Sequence, residues 1–170
     1  MLSKAKIKYI RSLEVKKFRN EYQTFVAEGN KLVAELINQF ECELLVAKTS
    51  WLATQGNIQT DELLMDDEGE GIKKASFLKT PQDVLAVFKQ PIYSLADINT
   101  DEGLVLALDG IQDPGNLGTI IRIADWFGIR HIVCSTDTTD AFSPKTVQAT
   151  MGALARVQIH YTDLSSYLGE

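Results

Sequence analysis

From Leu104 to Gly128 the chain reads LVLALDGIQDPGNLGTIIRIADWFG, and the period of its apolar positions changes midway. Leu104 to Leu108 is a continuous apolar run, as in a strand covered on both faces. Asp109, Gly110, Asp113, Pro114 and Gly115 break that run and demand a turn. Asn116 stands where an N-cap is expected. Leu117, Ile120, Ile121, Ala124 and Phe127 then recur at i, i+3, i+4 spacing, which predicts a helix with a buried stripe, closed by Gly128. At roughly 100° per residue, Gly118, Arg122 and Asp125 fall opposite the stripe. Arg122 is expected to point away from the core, where an ion pair with Asp125 is its simplest partner.

The same reading predicts strands at His131–Cys134 and Val157–Tyr161. Towards the N-terminus it predicts strands at Phe25–Ala27, Leu44–Ala47 and Val84–Phe88 and a helix over Asn30–Gln39. The fold class is α/β. Pro91, Asn99 and the Asp101–Glu102 pair suit a linker between Gln90 and Glu102, so the expected domains are 1–98 and 99–170. A strand running into a glycine-rich turn and a helix is how α/β proteins build ligand sites, but two familiar phosphate loops fit poorly. Gly110 and Gly115 have P-loop spacing, yet Asn116 and Leu117 occupy the places of the Lys and Ser/Thr that reach the phosphates and magnesium. A dinucleotide fingerprint lacks its first glycine, since the turn offers only Gly115-x-x-Gly118. A Rossmann-like nucleotide-binding domain is the weakest of the readings.

Asp109, Asp113, Pro114, Asn116, Gly118, Arg122, Ala124, Phe127 and Gly128 reproduce D-x-x-x-D-P-x-N-x-G-x-x-x-R-x-A-x-x-F-G. This segment resembles motif 1 of the SpoU/TrmH family of RNA ribose 2′-O-methyltransferases, within the trefoil-knotted SPOUT superfamily. Phe142 to Ala153, with Thr150 in place of the usual Ser, resembles the family's S-P-K-x-V-x-A-S-x-G-A segment. Further upstream, Lys16-Lys17-Phe18-Arg19, Phe25-Val26-Ala27-Glu28-Gly29 and Lys31-Leu32-Val33 resemble its substrate-binding domain, a ribosomal-protein-like α/β RNA-binding fold. The resemblance implies methyl transfer from S-adenosylmethionine to a ribose 2′-hydroxyl, ribosomal RNA as substrate, and a homodimer in the complete enzyme. Arg122 would be the catalytic residue, positioning the acceptor and stabilising an alkoxide, because a guanidinium is a poor resting base. Asn116 would hold the turn and orient Arg122.

Charge divides unevenly along a chain of net charge −6. Residues 1–33 carry eight Lys/Arg against three Glu, whereas residues 34–103 carry five against thirteen acids. The N-terminal cations, Lys16, Lys17 and Arg19 above all, are the expected RNA contacts, with Tyr9 and Phe18 to stack an unpaired base. A solvated basic surface is the alternative. The acidic cluster Asp61, Glu62, Asp66, Asp67, Glu68 and Glu70 lacks EF-hand spacing and reads as a solvated loop and helix end. Cys42 and Cys134 form no CxxC pair, and His131 and Cys134 would point to opposite faces of a strand, so no metal site is expected. His160 reads as structural or exposed. No apolar run is long enough to span a membrane, no secretory signal is visible, and a reducing cytoplasm is the expected location.

The glycine/glutamate loop and the Ser-Leu-Asn segment that thread the family's knot and build most of its cofactor pocket are not found before Glu170. The chain is therefore expected to hold the substrate domain and the first half of the methyltransferase domain, without the knot-forming part. No cofactor-binding residue is assigned, and a non-catalytic RNA-binding fragment is the alternative reading.

Overall fold

Alternating side chains in the first strands supply two apolar faces, and helices cover both. In the computed structural model, which describes residues 2–169, the chain divides into two compact units. The first runs to Gln90 and includes Phe142–Pro144; the second comprises Pro91–Ala141 and the residues from Lys145 onward.

The first unit contains α1 (Lys4–Ser12), α2 (Lys16–Tyr22), β1 (Thr24–Glu28), α3 (Asn30–Leu36), β2 (Cys42–Ala47), α4 (Thr49–Leu52), β3 (Glu62–Met65), α5 (Glu70–Ala75) and β4 (Val84–Lys89). Its four strands lie in the order β1-β4-β2-β3, with β4 antiparallel to both β1 and β2 and with β3 parallel to β2. Val26, Leu44, Val46, Leu85 and Val87 share one buried cluster with Ile10 and Leu13 around α1 and with Ile72 and Ala75 of α5. Gly71 packs so closely on Leu2 that a Cβ there would lie 2.7 Å from the leucine Cβ. Period two puts Phe25, Leu45, Ala86 and Phe88 on the other sheet face, where Phe25 meets Phe40 edge to face at 5.3 Å.

Two expectations for this unit need correction. The helix expected over Asn30–Gln39 stops at Leu36, whose carbonyl accepts from both Gln39 and Phe40 N–H as the chain turns. The acidic cluster is not simply a solvated loop: Glu62–Met65 is a strand, and Asp66 is 6% exposed with its carboxylate accepting the Ile72 N–H at 2.8 Å. That bond caps the backbone at the start of α5, and Asp67 accepts from Thr49 N–H at 2.7 Å.

The second unit holds β5 (Val105–Leu108), α6 (Pro114–Trp126), β6 (His131–Ser135), α7 (Pro144–Thr150) from Lys145 onward, β7 (Gln158–Thr162) and α8 (Leu164–Gly169). Its three strands are parallel in the order β5-β6-β7, in register from Val105–His131 and His131–Gln158 onward. Parallel pairing requires crossovers, supplied by α6 and α7. The carboxyl ends of the strands and the start of α6 lie at the same edge, the usual place for ligands in such sheets.

Candidate functional site

The turn between β5 and α6 is fixed residue by residue. Gly110 sits at φ +65°, a conformation that favours glycine, and its N–H donates to Ser135 Oγ at 2.8 Å. Ser135 Oγ shares a hydrogen bond with Thr138 Oγ1 at 2.9 Å, and Thr139 N–H donates to the Ile111 carbonyl at 2.7 Å. The loop after β6 thus clamps the loop after β5.

Asn116 is not the N-cap. Asp113 takes that role with extended backbone, its carboxylate accepting the Asn116 N–H at 2.8 Å, while Pro114 fills the first helical position, where a missing N–H costs nothing. Asn116 is exposed on the first turn, and no hydrogen bond joins its amide to Arg122 among the described residues. Leu117, Ile121 and Ala124 are buried as expected, but Phe127 is 73% exposed. Gly118, expected on the polar face, is buried instead: a Cβ there would stand 2.4 Å from Ala149 Cβ and 2.9 Å from its carbonyl carbon. Glycine at this position lets α6 lie directly on the backbone of α7.

Arg122 is exposed, and no hydrogen bond or ion pair engages it among the described residues. The expected pair with Asp125 does not form. Asp125 binds Arg156 bidentately instead, through Nε at 2.8 Å to Oδ1 and Nη2 at 2.9 Å to Oδ2. This fork geometry is one that an i, i+3 helical pair cannot readily reach. Arg122, Thr119, Ile123, Trp126, Met151 and Arg156 line a groove of about 440 Å³. Trp126 is 85% exposed in it. A second cleft, about 340 Å³, opens at the carboxyl ends of the strands between Asp109, Asp137, Asp163, Thr162 and Leu164.

Of the expected RNA contacts, Lys16 and Lys17 are exposed at the start of α2, but Arg19 is 3% exposed. Its Nη1 donates to the carbonyls of Leu13 at 2.9 Å and Glu14 at 2.7 Å, tying the α1–α2 turn together. A guanidinium enclosed in this way is a structural strut rather than a surface cation open to RNA. Tyr9 is committed too, donating to Glu43 at 2.7 Å, and Phe18 stacks on Tyr22.

His160 is buried rather than exposed, with Nε2 3.2 Å from His131 Nδ1. Burial, and then the neighbouring His131, hold its pKa below the ordinary histidine value. Burial likewise pushes the Cys134 thiol up to about 12, which leaves it inert as a nucleophile. No group of three metal-ligating side chains occurs among the described residues.

Comparison with known proteins accords with this arrangement. Residues 4–86 match the MRM3-like substrate binding domain, and residues 103–170 match the SpoU rRNA Methylase family. Over 97% of its length the chain is 33% identical to the Bacillus subtilis 23S rRNA (guanosine(2553)-2′-O)-methyltransferase RlmP, of which it spans 65%. A structure from Porphyromonas gingivalis assigned to the TrmH family of RNA methyltransferases superposes with a TM-score of 0.91 at 44% identity, covering 99% of this chain and 66% of that one. An AdoMet-bound rRNA methyltransferase from Sinorhizobium meliloti gives 0.81 at 34% identity, with coverage of 99% and 66%. With a substrate-binding unit ahead of a parallel sheet whose first turn carries Asp113, Asn116, Gly118 and Arg122, the chain belongs to the SpoU methylase family.

Proposed function

We propose that the chain forms the substrate-binding domain and the first part of the catalytic domain of a ribosomal RNA ribose 2′-O-methyltransferase that uses S-adenosylmethionine. The observation that carries this reading is Arg122, an unpaired guanidinium on the solvent face of a helix whose other face is locked on α7 through Gly118. A cation held at a fixed place without an internal partner is available to substrate. Its planar donors can hold a phosphate and the 2′-oxygen together, and can stabilise negative charge as that oxygen loses its proton.

S-adenosylmethionine supplies an activated methyl group. The described residues do not by themselves enclose such a cofactor: the cleft at the strand ends has three carboxylates, Asp109, Asp137 and Asp163, and only Leu164 and Leu168 as apolar lining, without an aromatic or a closed slot for a purine. The exposed Ile123, Trp126, Phe127 and Met151 beside Arg122 support a homodimer built on this face. Two buried free thiols suit a reducing compartment, the cytoplasm.

The test is transfer of labelled methyl from S-adenosylmethionine to ribosomal RNA by the intact protein, with the modified nucleotide digested and its ribose examined. Label on a 2′-oxygen is the expected result. Label on a base, or none, refutes the reading.

A further inference from the structure

Folding redistributes the positive charge of the first unit. Two N-terminal cations are used internally, Arg19 in the α1–α2 turn and Lys6 in an ion pair with Glu62. Two of the later lysines are used as well, Lys48 with Asp83 at 2.8 Å and Lys89 with Glu41 at 2.6 Å. Lys4 and Lys8 of α1, with Lys73, Lys74 and Lys79 in and after α5, are exposed and engage no carboxylate among the described residues. Stepping along α1 places Lys4, Lys8 and Arg11 on one side of the helix. That side faces the end of α5: Arg11 Nη1 donates to the Ser76 carbonyl at 2.7 Å, and its guanidinium lies 4.6 Å from the centre of the Phe77 ring.

The corner that holds Arg11 is fixed from beneath. Glu28, at the end of β1 and 4% exposed, accepts hydrogen bonds from the Ser76 hydroxyl and from Phe77 N–H at 2.7 Å. One plane of the guanidinium is therefore backed by Phe77 and one edge bound to backbone, while the Arg11 side chain remains 43% exposed. Glu14, 4.0 Å away, is the carboxylate that borders it.

We infer that α1 and α5 form one RNA-binding surface, in which the Phe77-backed Arg11 guanidinium stacks on an unpaired base and Lys4, Lys8, Lys73, Lys74 and Lys79 take the flanking phosphates. This rests on the RNA reading above. It replaces Tyr9 and Phe18 as the stacking groups, and it draws half of its charge from a stretch whose sequence is net acidic. A plane already held needs little ordering on binding, and a base offers it a π face of matching size.

Fluorescence anisotropy with two labelled RNA probes, a stem with an unpaired loop and the same stem closed as a blunt duplex, tests this on the whole chain. Arg11→Lys keeps the charge and loses the plane, so it should weaken loop binding by about tenfold and duplex binding by less than twofold. Lys73→Gln with Lys74→Gln should weaken both and lower the slope of log K against log salt by about 1.4, two contacts at about 0.7 each. Circular dichroism verifies that each variant is folded. Unchanged loop binding in Arg11→Lys, or an unchanged salt slope in the double variant while Lys16→Gln with Lys17→Gln abolishes binding, overturns the inference and leaves the RNA reading standing. A parent chain that ignores both probes but binds phosphatidylserine vesicles overturns both.

Discussion

Gly118→Ala is the sharpest test of how α6 is held. The added Cβ would come within 2.4 Å of Ala149 Cβ, 2.9 Å of its carbonyl carbon and 3.1 Å of its Cα. An ordinary carbon contact is about 3.5–4.0 Å, so α6 and α7 must separate by about 1 Å, and two of the three obstacles are backbone that cannot rotate away. Overpacking of this kind costs about 1–3 kcal/mol, while replacing glycine by alanine inside a helix returns about 0.8–1.0 kcal/mol. The clash is severe enough to place the gross cost at the upper end, leaving a net loss of about 2 kcal/mol. Gly115→Ala is the matched control: it meets only the Asp113 carboxylate at 3.1 Å, on an exposed turn, and should change stability by less than about 0.5 kcal/mol. Adding Ala149→Gly removes the 2.4 Å contact but leaves the backbone ones, so the pair of substitutions should cost about 1 kcal/mol less than the sum of the singles. Urea unfolding followed by circular dichroism measures the parent and all four variants. A Gly118→Ala variant as stable as the parent, or more stable, refutes the close-approach argument.

Arg122→Ala should leave folding within about 0.5 kcal/mol of the parent while lowering single-turnover methyl transfer at saturating RNA by at least about tenfold, and Arg122→Lys should recover little of it if geometry rather than charge matters; parental rates in the alanine variant exclude a catalytic role. Arg19→Ala strips the Leu13 and Glu14 carbonyls of a charged donor and should cost about 2–3 kcal/mol in denaturant unfolding, whereas Lys16→Ala should be near neutral; equal effects would return Arg19 to the surface. His160 is held below its unfolded value of about 6.5, so the unfolded state binds more protons in that window. Its contribution is complete above about pH 6.5 and is lost as the pH falls from there through the folded pKa, and His160→Gln should flatten that limb of the stability profile. Calorimetry should find S-adenosylmethionine binding to residues 1–170 weaker than micromolar, and tighter binding would show a pocket among these residues that the open cleft does not suggest.

Period and turn chemistry made most of the strands and the β5–α6 turn legible, because Val84–Phe88 and Leu104–Leu108 are apolar runs bounded by breakers. Helical spacing made the solvent-facing position of Arg122 legible, while its proposed role came only from the family resemblance. The cap was misplaced because Asp113 and Asn116 are both good cap residues three positions apart, and only Pro114 in the first helical position decides between them. Gly118 looked polar because helical phase cannot foresee a neighbour that touches backbone, and the Asp125–Arg156 fork joins residues thirty-one positions apart. Arg19 misled for a related reason: a cation inside a basic run gives no sign that two carbonyls will enclose it. The Arg11–Phe77–Glu28 corner spans three separate segments, so no local pattern announces it.

The strand in the acidic segment has one more consequence. β3 closes the sheet on one side with only four residues, and Leu63 and Met65 stay 46% and 41% exposed along it. A bare margin of that kind is a template onto which another chain can add a strand. Asp61, Glu62, Asp67 and Glu68 stand at both ends of it, so a second molecule approaching in register brings like charges together. The run of carboxylates that makes the middle of the sequence resemble a loop thus also sets charge against a second copy adding to that edge.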